Sequence, residues 1–470
     1  MTLNTLAKKQ ILGGLMLYFI IRVFAYYYSP GTPLYSANPV NWLLSAGILA
    51  SAIYFLWKKD SRGWLIIAGE MILGGAGSFF EIKGISLRTL LLIFSILIFT
   101  YQTAKDKQWQ TFVENRIVLY LISGIFLIAG ISAIRGYYHH HTLGLIIADI
   151  IPYFFFLYYF PLKQLIASEK FRQIISHMII SAIVGSFIFT FFTLAGFSLH
   201  LFVLQDNYYH WFRDVASGKI TEYGFNFYRI NLNEHLLLIP LLLISLGNII
   251  NKKVQKIEAI IPLFLLGILS VNLTRIFILA MGVGLLFLFS KINWKRWFLY
   301  SATTVVGFFL IFTSVHLLAS RGQSLGWEFF GLRLQSIAMP QTEDSSLSRL
   351  MLLPKILDKI KKYPVLGTGL GDAVTIFSPI FKENITTPHF DWGYLEIIAE
   401  TGIIGMIIWL LLIGYCLFKA TNWTLRASLL SLLVINLTSP ALFHVLGVIL
   451  IVFILSQNNL KSDPLPKLQA

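Results

Sequence analysis

The sequence predicts an all-α fold: a polytopic membrane bundle of about fourteen transmembrane helices (between about 12 and 14), with one large, partly helical external loop. Three observations predict it. Hydrophobic residues make up 56% of the 470-residue chain and charged residues 13%, and mean hydropathy is +0.73, more apolar surface than a soluble domain of this size carries. The apolar residues fall into separate runs of near-membrane length. Lys and Arg then gather in every second connection, as membrane topology demands.

The runs lie at 11–28, 41–57, 64–79, 86–102, 117–134, 143–160, 173–195, 235–250, 257–272, 276–290, 297–317, 394–417, 427–438 and 441–457. The first, Ile11 to Tyr28, has no small-residue cleavage site after it and reads as a retained helix, not a signal peptide. Lys8 and Lys9, Lys58, Lys59 and Arg62, Lys105 and Arg116, Lys163 and Arg172, Lys252 and Lys253, Lys291 and Arg296, Lys419 and Arg426, and Lys461 all fall on one side. Lys83, Arg88 and Arg135 are the exceptions opposite. The rule that positive loops stay inside makes both termini cytoplasmic. The net charge of +15 then reflects topology and contact with anionic membrane lipid, not nucleic acid. Cys416 is the only cysteine, so the chain forms no internal disulfide, and nothing indicates a redox or zinc role.

The chain reads as one membrane domain, 1–470, without repeats or a linker to a soluble unit. Two external segments are long, 197–234 and 319–393, and both are rich in aromatic and aliphatic residues. Long ordered loops in a compact fold are usually functional. Within the second, Ser348 to Lys362 reads as an amphipathic helix lying on the membrane surface, with Pro354 near its start and Leu353, Ile356, Leu357 and Ile360 as the apolar stripe. Gly367, Gly369 and Gly371 follow. They suggest a tight turn with exposed backbone N–H groups.

Three places on the external side can carry chemistry, and each has a plainer reading. Arg229 stands just before the eighth run; it is either an anion ligand or a loop charge paired with Glu234. Arg275, between the ninth and tenth, is either a ligand or an interfacial anchor. His389 precedes the twelfth with Asp391, Glu396 and Glu400 close behind. It is either a proton acceptor or a surface histidine, Asp391 is either a base or a helix N-cap, and the glutamates serve the site or pair with an Arg inside the bundle. His139, His140 and His141 read as an interfacial loop, since adjacent loop residues lack metal-ligand spacing. Glu70 and Asp149, inside runs, read as buried and hydrogen-bonded.

The run His389, Tyr394-Leu395-Glu396, then Ala399-Glu400-Thr401-Gly402-Ile403-Ile404-Gly405 resembles the C-terminal signature of the O-antigen ligase and O-antigen polymerase superfamily. Tyr228-Arg229-Ile230-Asn231, Thr274-Arg275, Ser348-Arg349, Pro364 and the glycines 367–371 resemble that family's further motifs in order, over roughly residues 220–417. One departure stands out: Asp391 occupies the place of the family's His, and His389 lies two residues earlier.

The resemblance implies a glycosyltransferase of the bacterial inner membrane that works at the periplasmic face. Its donor would be a glycan on undecaprenyl pyrophosphate, and its acceptor a hydroxyl of a glycan, lipid or protein. Arg229, Arg275, Arg349 and Glu396 would bind substrate. His389 or Asp391 would take the acceptor's proton. Arginine suits a pyrophosphate because its charge is permanent and its fork matches phosphate oxygens. No external Asp-x-Asp is evident, so neither a metal nor a cofactor is expected. The alternative is a lipid-linked oligosaccharide flippase or another transporter, and a third reading is a structural membrane protein; a transporter would hold its polar site near mid-bilayer.

Overall fold

The computed structural model describes residues 5–29, 38–75, 77–109, 115–251, 258–289, 293–339, 344–378, 383–388, 390–420 and 422–457. The chain is a largely helical membrane protein. The helices are α1 (Thr5–Tyr28), α2 (Pro39–Trp57), α3 (Ser61–Leu73), α4 (Leu87–Lys105), α5 (Arg116–Tyr138), α6 (Leu143–Phe154), α7 (Tyr159–Leu165), α8 (Glu169–Ser198), α9 (Asn207–Asp214), α10 (Leu238–Ile250), α11 (Ile261–Asn272), α12 (Arg275–Phe287), α13 (Trp294–Ala319), α14 (Trp327–Ala338), α15 (Asp344–Lys362), α16 (Gly393–Lys419), α17 (Trp423–Ile435) and α18 (Val445–Gln457).

Polar residues just ahead of apolar runs set where several helices begin. Asn38, Asp60, Ser86, Asn115 and Ser168 each accept a backbone N–H from the first turn of the helix that follows, which meets one of the donors a helix start leaves open. The solvation pattern is that of a membrane protein. Leu43, Tyr120, Leu318 and Phe418 are exposed, while Arg22, Asn41, His235, Asn272, Glu396 and Glu400 are buried. Inside the bundle, Arg22 Nη2 lies 2.7 Å from Glu234 Oε2, and Arg88 grips both oxygens of Glu70 at 3.0 Å.

Every apolar run read from the sequence forms helix, but the count of about fourteen spans is not reached. Among the described residues nine helical segments are long and apolar enough to cross a membrane, and α11, α12, α17 and α18 are shorter apolar helices of 12 or 13 residues. At 1.5 Å per residue these measure about 18–20 Å, short of a hydrocarbon core of about 30 Å. Hydropathy counts apolar residues and does not register where a run breaks.

Among the described residues the fold also holds three antiparallel hairpins that an all-α reading omits: β1 (Glu81–Ile82) with β2 (Ile85–Ser86), β3 (Gly218–Gly224) with β4 (Phe227–Leu232), and β5 (Val374–Ser378) with β6 (Glu383–Thr387). The second crosses α8 and α11, and the third packs on α15.

Candidate functional site

The β3–β4 hairpin has two unlike faces because side chains alternate along a strand. Ile220, Tyr228, Ile230 and Leu232 are buried against the bundle. Lys219 and Thr221, paired with Asn231 and Arg229 across the ladder, share the opposite face.

Arg229 does not pair with Glu234, which is bound instead by Arg22 and by the Tyr18 hydroxyl at 2.8 Å. Arg229 reaches the turn between α11 and α12: its Nε donates to Asn272 O at 2.7 Å and its Nη2 to Thr274 Oγ1 at 2.8 Å. That turn needs support. Leu273 closes α11 in the left-handed conformation, with φ of 45°, and two short helices meet there, where backbone polar groups require protein partners. Asn272 supplies more of them. Its Nδ2 donates to Asn231 Oδ1 at 2.8 Å and to His235 Nδ1 at 2.9 Å, and its Oδ1 accepts from Thr274 N at 3.2 Å. His235 Nδ1 is therefore an acceptor, which puts the ring proton on Nε2 beside Thr190. The half-buried Arg275 opens α12 directly after this turn, so Arg229 and Asn272 together fix the place from which it projects.

The other half of the site comes from 319–393. The apolar stripe of α15 is divided: Ile356 is buried in the protein and Leu357 stays exposed. Leu352 and Ile356 are buried in a small core with Val374, Phe390 and Ala399, and Pro354 sits inside the helix, not near its start. Arg349 on α15 stands 3.7 Å from Asp391, Nε to Oδ2, while its carbonyl accepts the Trp392 indole N–H at 3.1 Å. Asp391 is no N-cap. It takes a left-handed conformation, φ 56°, and the cap of α16 is Trp392, which makes no side-chain cap bond. The Asp391 carboxylate is left half-exposed beside the arginine. His389 lies outside the described residues.

Lys219 ties the two halves together. It is exposed at its own surface, yet protein around it holds its ammonium below the usual lysine range. Burial is the leading cause. Arg229, Arg349 and Arg333 add repulsion, and Asp391 opposes them. Arg333 on α14 is buried and lies over the Tyr223 ring at 4.9 Å. Lys219 thus lies within electrostatic reach of three arginines and one carboxylate from other segments, and such a group is suited to a multiply charged anion. The sequence reading missed Lys219 and Arg333; the alternation of Lys219 with apolar Ile220 was the signal available for the first, and nothing local marked the second.

Glu396 is 2% exposed, and its Oε2 accepts the Phe390 N–H at 3.2 Å. It steadies the segment that carries Asp391. Among the described residues Glu400 forms no ion pair with an arginine; its hydrogen-bond partner is Asp149, whose Oδ2 also accepts Gly371 N–H at 2.8 Å.

The glycine turn is not an open cradle of N–H groups. α16 is broken at Gly402, with φ 70° and ψ −175°, and the turn fills the break. Thr368 N donates to Ala399 O at 2.7 Å and Gly369 N to Glu400 O at 3.0 Å, while Ile403 N donates to Pro364 O at 2.9 Å. Leu370 N donates to Ser132 O at 2.9 Å, and Arg135 Nη2 to Gly367 O at 2.8 Å. Every N–H from 368 to 371 is thus spent inside the protein.

An apolar cavity of about 660 Å³ lies among α3, α7, α8, α10, α11 and α18, and reaches Glu234 and His235. His235 also touches the Asn272 turn, so the cavity ends near the support of Arg275. Among the described residues no three or more His, Cys, Asp or Glu side chains group as a metal site.

Residues 260–410 match the family model Wzy_C, described as O-Antigen ligase. The match includes Arg275, Arg333, Arg349, His389, Asp391 and Glu396 and leaves out Lys219 and Arg229, which reach the site from the hairpin. No curated protein and no solved structure matches the chain.

Proposed function

We propose that this protein is a glycosyltransferase that moves a glycan from a polyprenyl pyrophosphate to an acceptor hydroxyl at the outer face of the bacterial inner membrane, as an O-antigen ligase or polymerase does. The observation that carries the reading is the Arg349–Asp391 pair, 3.7 Å apart, with Lys219 within electrostatic reach of Arg229, Arg333, Arg349 and Asp391, in a chain whose residues 260–410 match the O-Antigen ligase family model.

In this reading the cations hold the pyrophosphate, with Arg275 beside them. The acceptor oxygen attacks the anomeric carbon of the donor sugar, the bond from that carbon to the pyrophosphate oxygen breaks, and the electron pair leaves with the pyrophosphate. Cations already in place stabilise the charge that develops there. The acceptor's proton passes to Asp391 or His389. The prenyl tail takes the apolar cavity, whose lining from α3, α8, α10 and α18 suits a branched hydrocarbon.

A lipid-linked oligosaccharide flippase is the second reading. The short helices α11, α12, α17 and α18 and the break in α16 favour it, because transporters use interrupted helices at their binding sites. Against it, the break in α16 is filled by the chain's own backbone and offers no room for cargo.

Purified protein, lipid-linked glycan and acceptor test the proposal. Product formation that Arg275→Ala reduces supports it, and the absence of any transfer by the intact chain sinks it. In a deletion strain, lost long chains would indicate a polymerase, and intact but untransferred chains a ligase.

A further inference from the structure

A second polar cavity, of about 470 Å³, lies beyond the arginine cluster along α15. Its walls come from the turn after α5, the last turns of α15 and the loop leading into β5. Lys355, Lys359 and Lys362 stand at i, i+4 and i+7 and face one way. They differ in what they meet. Lys359 Nζ donates to Asp372 Oδ1 at 2.6 Å, and Thr368 Oγ1 donates to Oδ2 at 2.7 Å. Asp372 is thereby a buried anchor whose charge is already matched. Lys355 and Lys362 are exposed, and neither forms an ion pair among the described residues.

The rest of the lining shares this bias. His141 Nδ1 donates to Leu370 O at 2.8 Å, which fixes its ring and leaves Nε2 3.7 Å from Asp372. His139 stands 4.9 Å from the Tyr363 ring, centroid to centroid. Burial holds the His139 imidazole below its usual range, and Arg135, His141 and Lys362 add to this against Asp372. Lys355, Lys359 and Lys362 outnumber Asp358 and Asp372 in the lining, and the Tyr363 ring lies beside them. Such a lining fits a sugar ring that carries a negative group.

We propose that this cavity binds a carboxylate- or phosphate-bearing sugar, at a site separate from the pyrophosphate cluster. Arg349 belongs to that cluster, and Lys355 and Lys362 lie about 9 and 20 Å further along the same helix. One extended glycan can therefore occupy both sites. The proposal rests on the transferase reading only for the statement that the anion is carried by the glycan.

The test uses the full chain in zwitterionic detergent at constant ionic strength. Its thermal midpoint is followed against glucuronate and inorganic phosphate, with chloride as the control. The wild type should gain stability with glucuronate, and Lys355→Gln/Lys362→Gln should weaken that binding at least about tenfold. Both side chains are exposed, so the variant keeps its fold. Arg349→Gln should keep the glucuronate response. Three results overturn the proposal: no response in the wild type, an equal response in the double variant, or a response only to phosphatidylglycerol added to the micelle, which would give the lysines to lipid. A glucuronate response in a protein without transferase activity would sink the transferase reading and leave this site standing.

Discussion

Arg229 and Arg275 read alike in the sequence, as two arginines before apolar runs, and the fold separates them. Arg229 spends its guanidinium on Asn272 and Thr274. Arg229→Ala should therefore lower both thermal stability and transfer, as the turn loses its donor. Arg275→Ala should lower transfer by roughly 1.5–3 kcal/mol of transition-state stabilisation, about 10- to 150-fold. Arg275→Lys should stay impaired, since an ammonium lacks the guanidinium fork. Normal transfer by both alanine variants would refute the clamp. Lys219 makes a prediction of its own. Its free pKa is depressed, and a bound pyrophosphate restores the charged form, so donor binding at alkaline pH should take up a proton. Calorimetry in two buffers of different ionisation enthalpy reads that uptake, and none should remain in Lys219→Met. Asp391 is half-exposed and is not the cap of α16, so Asp391→Asn should be severe if it is the base and His389→Ala severe if the imidazole is. Normal turnover in both would remove the assignment. The positions of the arginines and of the acid beside apolar runs were legible in the sequence. What Arg229 touches was not, because Asn272 lies 43 residues away.

At the scale of elements the decisive event is the break in α16. Gly402 has φ 70° and ψ −175°, a region open almost only to glycine, and a Cβ there would meet Val365 O at 2.1 Å. Gly402→Ala should cost roughly 1–3 kcal/mol from backbone strain alone, with more from that contact, and should loosen the 364–371 turn. Hydrogen exchange at Thr368 and Gly369, whose N–H groups bond to Ala399 and Glu400, should rise in the variant. Unchanged exchange would mean that the turn docks without the break. Asp391 sits one short segment before α16, so the same variant should lose transfer without touching substrate. The sequence marked Gly367 to Gly371 as an open turn and Gly402 only as part of the run Ala399 to Gly405. It did not show that the two meet, since a glycine permits a conformation without naming its partner.

For the whole molecule, the one-sided Lys and Arg pattern predicts both termini inside and the 197–234 and 319–393 segments outside. In a Cys416→Ser background, Lys361→Cys should react with an impermeant thiol reagent from outside, and Lys59→Cys only after the membrane is opened; both positions are exposed. The reverse pattern would overturn the topology and move the site to the wrong face. Activity should also survive metal chelation, because charge neutralisation is assigned to arginine and lysine.

The sequence by itself determined that this chain is a helical membrane protein, where its apolar helices lie, and which arginines and acids stand at their ends. Those properties are local: composition, run length and motif spacing carry them. Only the tertiary structure decided where the apolar runs break into shorter helices, that the glycine turn fills the break in α16, and that Lys219 lies within electrostatic reach of Arg229, Arg333, Arg349 and Asp391. Each of these depends on segments far apart in the chain coming together. Burial of unsatisfied backbone and unmatched charge is too costly to leave uncompensated, so the partners are chosen by the whole packing and not by the neighbours in sequence.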